Sequence, residues 1–166
     1  MQPQLAKVLE SLESAQTRLR TLSDRVSEAA WNKHPAPDAW SAADCVEHLN
    51  LTSRAYVPLL REALDRARLL RRPPTTRYYL DVAGRVMAFM MRPMKQIGRF
   101  KIGRVKTTGP FTPRGGQSRE QLLSEFVRLQ SDLMTIVRSA DRLPIDKVKI
   151  QSPFGNLRYN AYSALE

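Results

Sequence analysis

The chain has 166 residues, 42% hydrophobic and 26% charged, which is enough for one domain with a buried core and ordinary for a globular protein. No stretch approaches the roughly 18 apolar residues of a membrane span, residues 1–16 lack the basic-then-apolar layout of a signal peptide, and a single cysteine excludes an internal disulfide and suits a reducing cytoplasm. The net charge of +11 is regional: between Arg61 and Arg119 there are 15 Lys/Arg against 3 Asp/Glu, and elsewhere the charges nearly balance.

Residues 4–30 read as a first helix. Leu5, Val8, Leu12, Ala15, Leu19, Leu22 and Val26 recur at three- and four-residue steps, with no internal Gly or Pro. The two prolines of Trp31–Ala39 end it. His34 in that loop reads as solvated or packed on Trp31, because a loop is a poor platform for a metal.

The next helix start is legible residue by residue. Ser41 is a good N-cap, Asp44 sits where a capping box wants an acid, and Trp40 and Cys45 take the two places of a hydrophobic staple. From there Cys45, His48, Leu49, Thr52, Tyr56, Leu59, Leu60 and Ala63 define one face of a second helix, from Ala42 to about Leu70. Pro58 removes the bond to the carbonyl of Arg54 and predicts a kink there. His48 therefore points inward one turn below the cap. Glu47 and Asn50 fall off that face and are assigned no role.

A third helical segment, Thr76–Gln96, carries Tyr79, Val82, Val86, Phe89, Met90 and Met94 as its apolar stripe, with Pro93 as a kink or an end. Its methionines read as adaptable core filling rather than a soft-metal site. Residues 97–118 hold five glycines and two prolines and read as an irregular crossing, with at most a short strand in Phe100–Val105. The GRFKIGRVK run alternates basic and apolar residues, but lacks the aromatic platforms of single-strand binders and any helix-turn-helix, zinc-finger or RNP-like companion. It reads as a basic solvated loop.

Arg119–Ala140 is a fourth helix, capped by Ser118 or its neighbours and buried along Leu122, Phe126, Leu129, Leu133, Ile136 and Val137. Leu143–Gln151 is an extended connection. Ser152-Pro153-Phe154-Gly155 is a tight turn, and Asn156 reads as the N-cap of a fifth helical segment carrying Leu157, Ala161, Ala164 and Leu165. That segment stops at Glu166 with no C-cap, so residues 1–166 read as a single domain whose last helix is incomplete.

Cys45 near a helix start with His48 one turn along is a weak Cys/His pair, and a zinc site built on it needs at least one further ligand. His48 taken alone reads first as a packed core histidine.

The long first helix, WNKHPAPDAWSAADCVEHLNLTSRAY, the Pro/Gly-rich crossing and the late turn QSPFGNLRYNAYSAL appear in the order of the DinB-like (YfiT-like) family, which the chain resembles over nearly its whole length. The resemblance implies an all-α four-helix bundle with a long crossover, often a dimer. It also implies a divalent metal, zinc or nickel, held by three histidines, one in the position of His48 and two from a His-x-x-x-His pair on the final helix. Members resemble metal-dependent hydrolases or small-thiol transferases that act on a small electrophilic molecule. This sequence has only His34 and His48, so such a cofactor requires two further histidines after Glu166. In that reading His48 is a metal ligand, and Thr52 and Tyr56, on its face, orient substrate. The expected partners are a small-molecule substrate, such as a low-molecular-weight thiol, and a second copy of the chain, with no membrane, and nucleic acid disfavoured. The alternative is a non-catalytic basic binding protein that contacts nucleic acid or an acidic partner through residues 61–119.

Overall fold

The computed structural model describes residues 1–91, 107 and 109–166, with the backbone alone for 89–91. The elements are α1 (Pro3–Arg25), α2 (Glu28–Asn32), α3 (Ala42–Leu69), α4 (Val82–Met91), α5 (Arg119–Ser139), and a two-stranded hairpin of β1 (Lys149–Gln151) and β2 (Arg158–Asn160). Short 3-10 turns cover Gly109–Phe111, Ile145–Lys147 and Tyr162–Ala164. The protein is all-α in class, with only this small hairpin. None of the helices among the described residues is long and apolar enough to cross a membrane.

The helix starts follow their sequence signals. Ser41 Oγ accepts from Asp44 N at 3.1 Å while Asp44 Oδ2 accepts from Ser41 N at 2.9 Å, a complete capping box. Ser118 and Gln121 form the same box on α5. The predicted first helix is broken in two. Val26 leaves helical geometry, and the Ser27 side chain accepts from Ala30 N to start α2. A serine able to cap competes with helix continuation even where no Gly or Pro intervenes.

Helix α5 packs against both α3 and α1. Its predicted stripe is buried at Leu122, Phe126, Leu129, Ile136 and Val137, with Leu133 partly buried against the core. One core cluster joins Leu5 and Val8 of α1 to Leu60, Ala63 and Leu64 of α3 and to Ile145, Ile150 and Tyr159 beyond α5. A second gathers Trp31, Val46, Leu122 and Phe126 at the other end. Helix α4 packs instead against β2 and the last 3-10 turn.

The predicted third helix starts later than its periodicity suggests. Residues 78–81 lie outside any helix or strand. Tyr78 there is buried, stacked on Tyr162 at 5.1 Å, and takes a bond from its N–H to Gln4 Oε1. Asp81 Oδ1 accepts from Gly84 N at 2.8 Å and sets the start of α4. The expected end near Pro93 and the strand in Phe100–Val105 lie outside the described residues.

The larger correction is at the C-terminal end. The segment from Asn156 is not a helix: Ser152 N donates to Leu157 O, and Ile150 pairs with Tyr159 in an antiparallel register. Leu157 and Arg158 are exposed while Tyr159, Asn160 and Ala161 are buried, so the chain runs into the core as it leaves the turn. Only a 3-10 turn follows, at Tyr162–Ala164.

Candidate functional site

The periodicity placed the inward face of α3 along Cys45, His48, Leu49, Thr52 and Tyr56. The structure rotates that face. Val46, Glu47, Asn50 and Val57 are buried, whereas Cys45 is exposed and Leu49 is 46% exposed. Hydropathy scoring puts Cys and Leu inside and Glu and Asn outside. Here backbone groups of the elements packed on α3 reverse that order, because Asn50 Nδ2 donates to Leu122 O at 2.9 Å and Glu47 meets two backbone N–H groups. Both residues therefore have structural roles that the sequence reading denied them. Cys45 does not close a staple inside the core, and its thiol is pushed up by partial burial and by the Asp44 carboxylate, which argues against a ready thiolate.

His48, Thr52 and Tyr56 sit at the edge of the buried face, each half-buried, one turn apart. The end of the crossover lies against this edge. His48 Nδ1 pairs with the carbonyl of Phe111 at 2.9 Å. A carbonyl only accepts, so Nδ1 carries a proton, and in the neutral imidazole Nε2 presents its lone pair. The Trp40 ring lies 4.9 Å from the imidazole, tilted by 48°.

The adjacent residue holds the same segment from its other side. Glu47 Oε1 accepts from Arg114 N at 3.1 Å and Oε2 from Gly115 N at 3.0 Å. Gly115 and Gly116 have φ of 72° and 87°, and a Cβ on either would meet nothing, so glycine is required there by backbone conformation and not by space.

At the lower end of the stripe the hydroxyls of Tyr56 and Tyr159 are hydrogen-bonded to each other. Burial, and then the bond to Tyr159, push the Tyr56 phenol well above its ordinary range. Phe154, from the hairpin turn, packs 4.3 Å from the Phe111 ring and 6.1 Å from the Tyr56 ring. The sequence reading named His48, Thr52 and Tyr56 and passed over Phe111, Phe154, Tyr159 and Glu47, which the structure sets beside them. The first three lie 63 or more positions beyond His48, and no local pattern ties them to α3.

His34 is exposed, with Nδ1 on the carbonyl of Ala39 at 2.8 Å, as expected of a loop histidine. Among the described residues no group of three His, Cys, Asp or Glu side chains is placed to hold a metal ion. His48 supplies one imidazole nitrogen, so the described residues do not by themselves fit a three-ligand metal centre.

The sequence pattern of the DinB superfamily matches residues 11–160. No curated protein and no solved structure matches the chain.

Proposed function

We propose, from the premise that the chain belongs to the DinB superfamily, that it is a small-molecule enzyme of the hydrolytic or thiol-transfer kind with His48 as its working imidazole. The observation that carries this reading is the Phe111 carbonyl on Nδ1, which fixes one neutral tautomer and leaves Nε2 as an acceptor. An imidazole so held can take a proton from an attacking water or thiol, and the same form ligates zinc or nickel. One imidazole is one ligand, and the chemistry open to the described residues is proton transfer at Nε2. Thr52 and Tyr56 line the approach as substrate-facing side chains.

The test is turnover of 4-nitrophenyl acetate, a generic small electrophile, by the wild-type chain and by His48→Ala. A proton acceptor of this kind is worth on the order of 10²-fold or more. Equal rates in two folded proteins, checked by circular dichroism, would remove His48 from the chemistry.

A second reading, the basic binding protein, draws on Arg71, Arg72, Arg77 and Arg85. These are exposed and have no carboxylate partner among the described residues. It predicts binding to a polyanion that His48→Ala leaves unchanged.

A further inference from the structure

Thr52 is the odd residue among the helical threonines. Thr17, Thr21 and Thr135 each donate to the carbonyl four residues back, at 3.0, 3.0 and 2.9 Å. That bond is the ordinary resting place for a helical threonine hydroxyl. Thr52 does not make it. Its Oγ1 is buried and has no hydrogen-bond partner, although the carbonyl of His48 stands one turn behind it. A buried hydroxyl left unmade costs free energy that turning toward that carbonyl would recover.

The residue one turn before Thr52 presents the complementary group. His48 Nε2 is an acceptor with no partner among the described residues, since Nδ1 carries the proton. Side chains four apart on a helix lie on the same face, with Cβ atoms about 5–6 Å apart, so a ligand small enough to enter between them meets both. A group that accepts from Thr52 Oγ1 and donates to His48 Nε2 must carry both a lone pair and a proton on one atom. The wall beside it is aromatic, with Trp40 against the imidazole and Phe111 and Phe154 in contact beyond it.

We infer that Thr52 and His48 together form a hydroxyl-binding site, in which Thr52 Oγ1 donates to the oxygen of a water or small alcohol and that O–H points at His48 Nε2. Thr52 is then the positioning residue that selects an O–H over an ether or a bare carbonyl. This rests on the reading of His48 as the working imidazole and adds what that imidazole receives.

The experiment is nitrogen NMR of the protein labelled at histidine, where only two imidazoles contribute and His34→Asn assigns them. Wild type, Thr52→Ser and Thr52→Val are compared. Valine keeps the shape of threonine and deletes the hydroxyl. The expected result is that the Nε2 signal of His48 moves in Thr52→Val, is restored in Thr52→Ser, and that Thr52→Val melts about 2–4 °C lower. Benzyl alcohol and benzyl methyl ether then separate the two sources of the hydroxyl. A saturable shift with the alcohol, absent with the ether and absent in Thr52→Val, assigns an alcohol. A signal that depends on Thr52 but ignores both probes assigns water. An Nε2 signal unmoved in Thr52→Val, with an equal or higher melting temperature, overturns the inference. The same spectra report the tautomer: a proton on Nε2 in the wild type would overturn the reading of His48 itself, whereas the correct tautomer with an inert Thr52 defeats only the present inference.

Discussion

The carboxylate of Glu47 holds the backbone N–H groups of Arg114 and Gly115 at 3.1 and 3.0 Å, while the residue beside it, His48, holds the carbonyl of Phe111. Two consecutive α3 residues thus grip one five-residue stretch of the crossover by both of its backbone polarities. Glu47 is only 6% exposed, so its removal leaves a gap under the crossover and two N–H groups without their acceptor. Glu47→Ala is expected to lose about 2–3 kcal/mol in urea unfolding, and Glu47→Gln, which keeps one acceptor oxygen, about half of that. A Glu47→Ala protein with an unchanged midpoint would show that this grip contributes nothing to stability.

Alkaline stability follows from three tyrosines. Burial pushes Tyr78 up to about 12. Burial, aided by the Tyr159 hydroxyl at Tyr56 and by Glu166 at Tyr162, pushes the other two above the usual phenol range. The unfolded chain loses these protons near pH 10 and the folded chain holds them longer, so stability is intact below about pH 10 and falls as pH rises beyond it. Tyr56→Phe is expected to remove about one proton from that slope in unfolding measured from pH 9 to 11. An unchanged slope would show that Tyr56 ionises alike in both states.

Alanine at a helical glycine usually stabilises by up to about 1 kcal/mol. Gly84 is the reverse case. A Cβ there runs into Ser163 Oγ and Cβ, and Ser163 cannot swing aside freely because its N–H and hydroxyl both donate to Asn160 Oδ1, at 2.8 and 2.7 Å. Gly84→Ala is expected to lose about 1–2 kcal/mol, read as a lower melting temperature. A stabilised variant would mean that the contact between α4 and the last 3-10 turn is loose.

The basic reading is tested by a salt series. If the exposed arginines after α3 contact phosphates, affinity for a single-stranded oligonucleotide should drop by at least about tenfold between 50 and 200 mM salt. No binding at the lower salt ends that reading.

How far the sequence reached can be traced residue by residue. The Ser41 and Ser118 starts were legible because a cap is a local event, settled within three residues of chain. The stripe of α5 was legible because its buried residues are all apolar but Gln130. The buried side of α3 was not, since Glu47 and Asn50 are inside only because of backbone groups 67 to 72 positions away. The hairpin was missed for a similar reason. Asn156 after a Pro-Phe-Gly turn looks like a helix cap, and what decides for a strand is the pairing of Tyr159 with Ile150 and its hydroxyl bond to Tyr56. Of the candidate site, the alignment of His48, Thr52 and Tyr56 along α3 was readable, and Glu47 and the segments that face them were not.

The double grip on residues 111–115 also gives the imidazole a clock. Each time that stretch lifts from α3, the Arg114 and Gly115 amides become open to solvent exchange and Nδ1 loses the carbonyl that fixes its proton. Opening of this kind needs no melting of α3 or α5, so it belongs to the cheaper, local tier of motions. The deuterium uptake of two amides should therefore count the moments at which His48 is free to hold its proton on either nitrogen, without any label on the histidine.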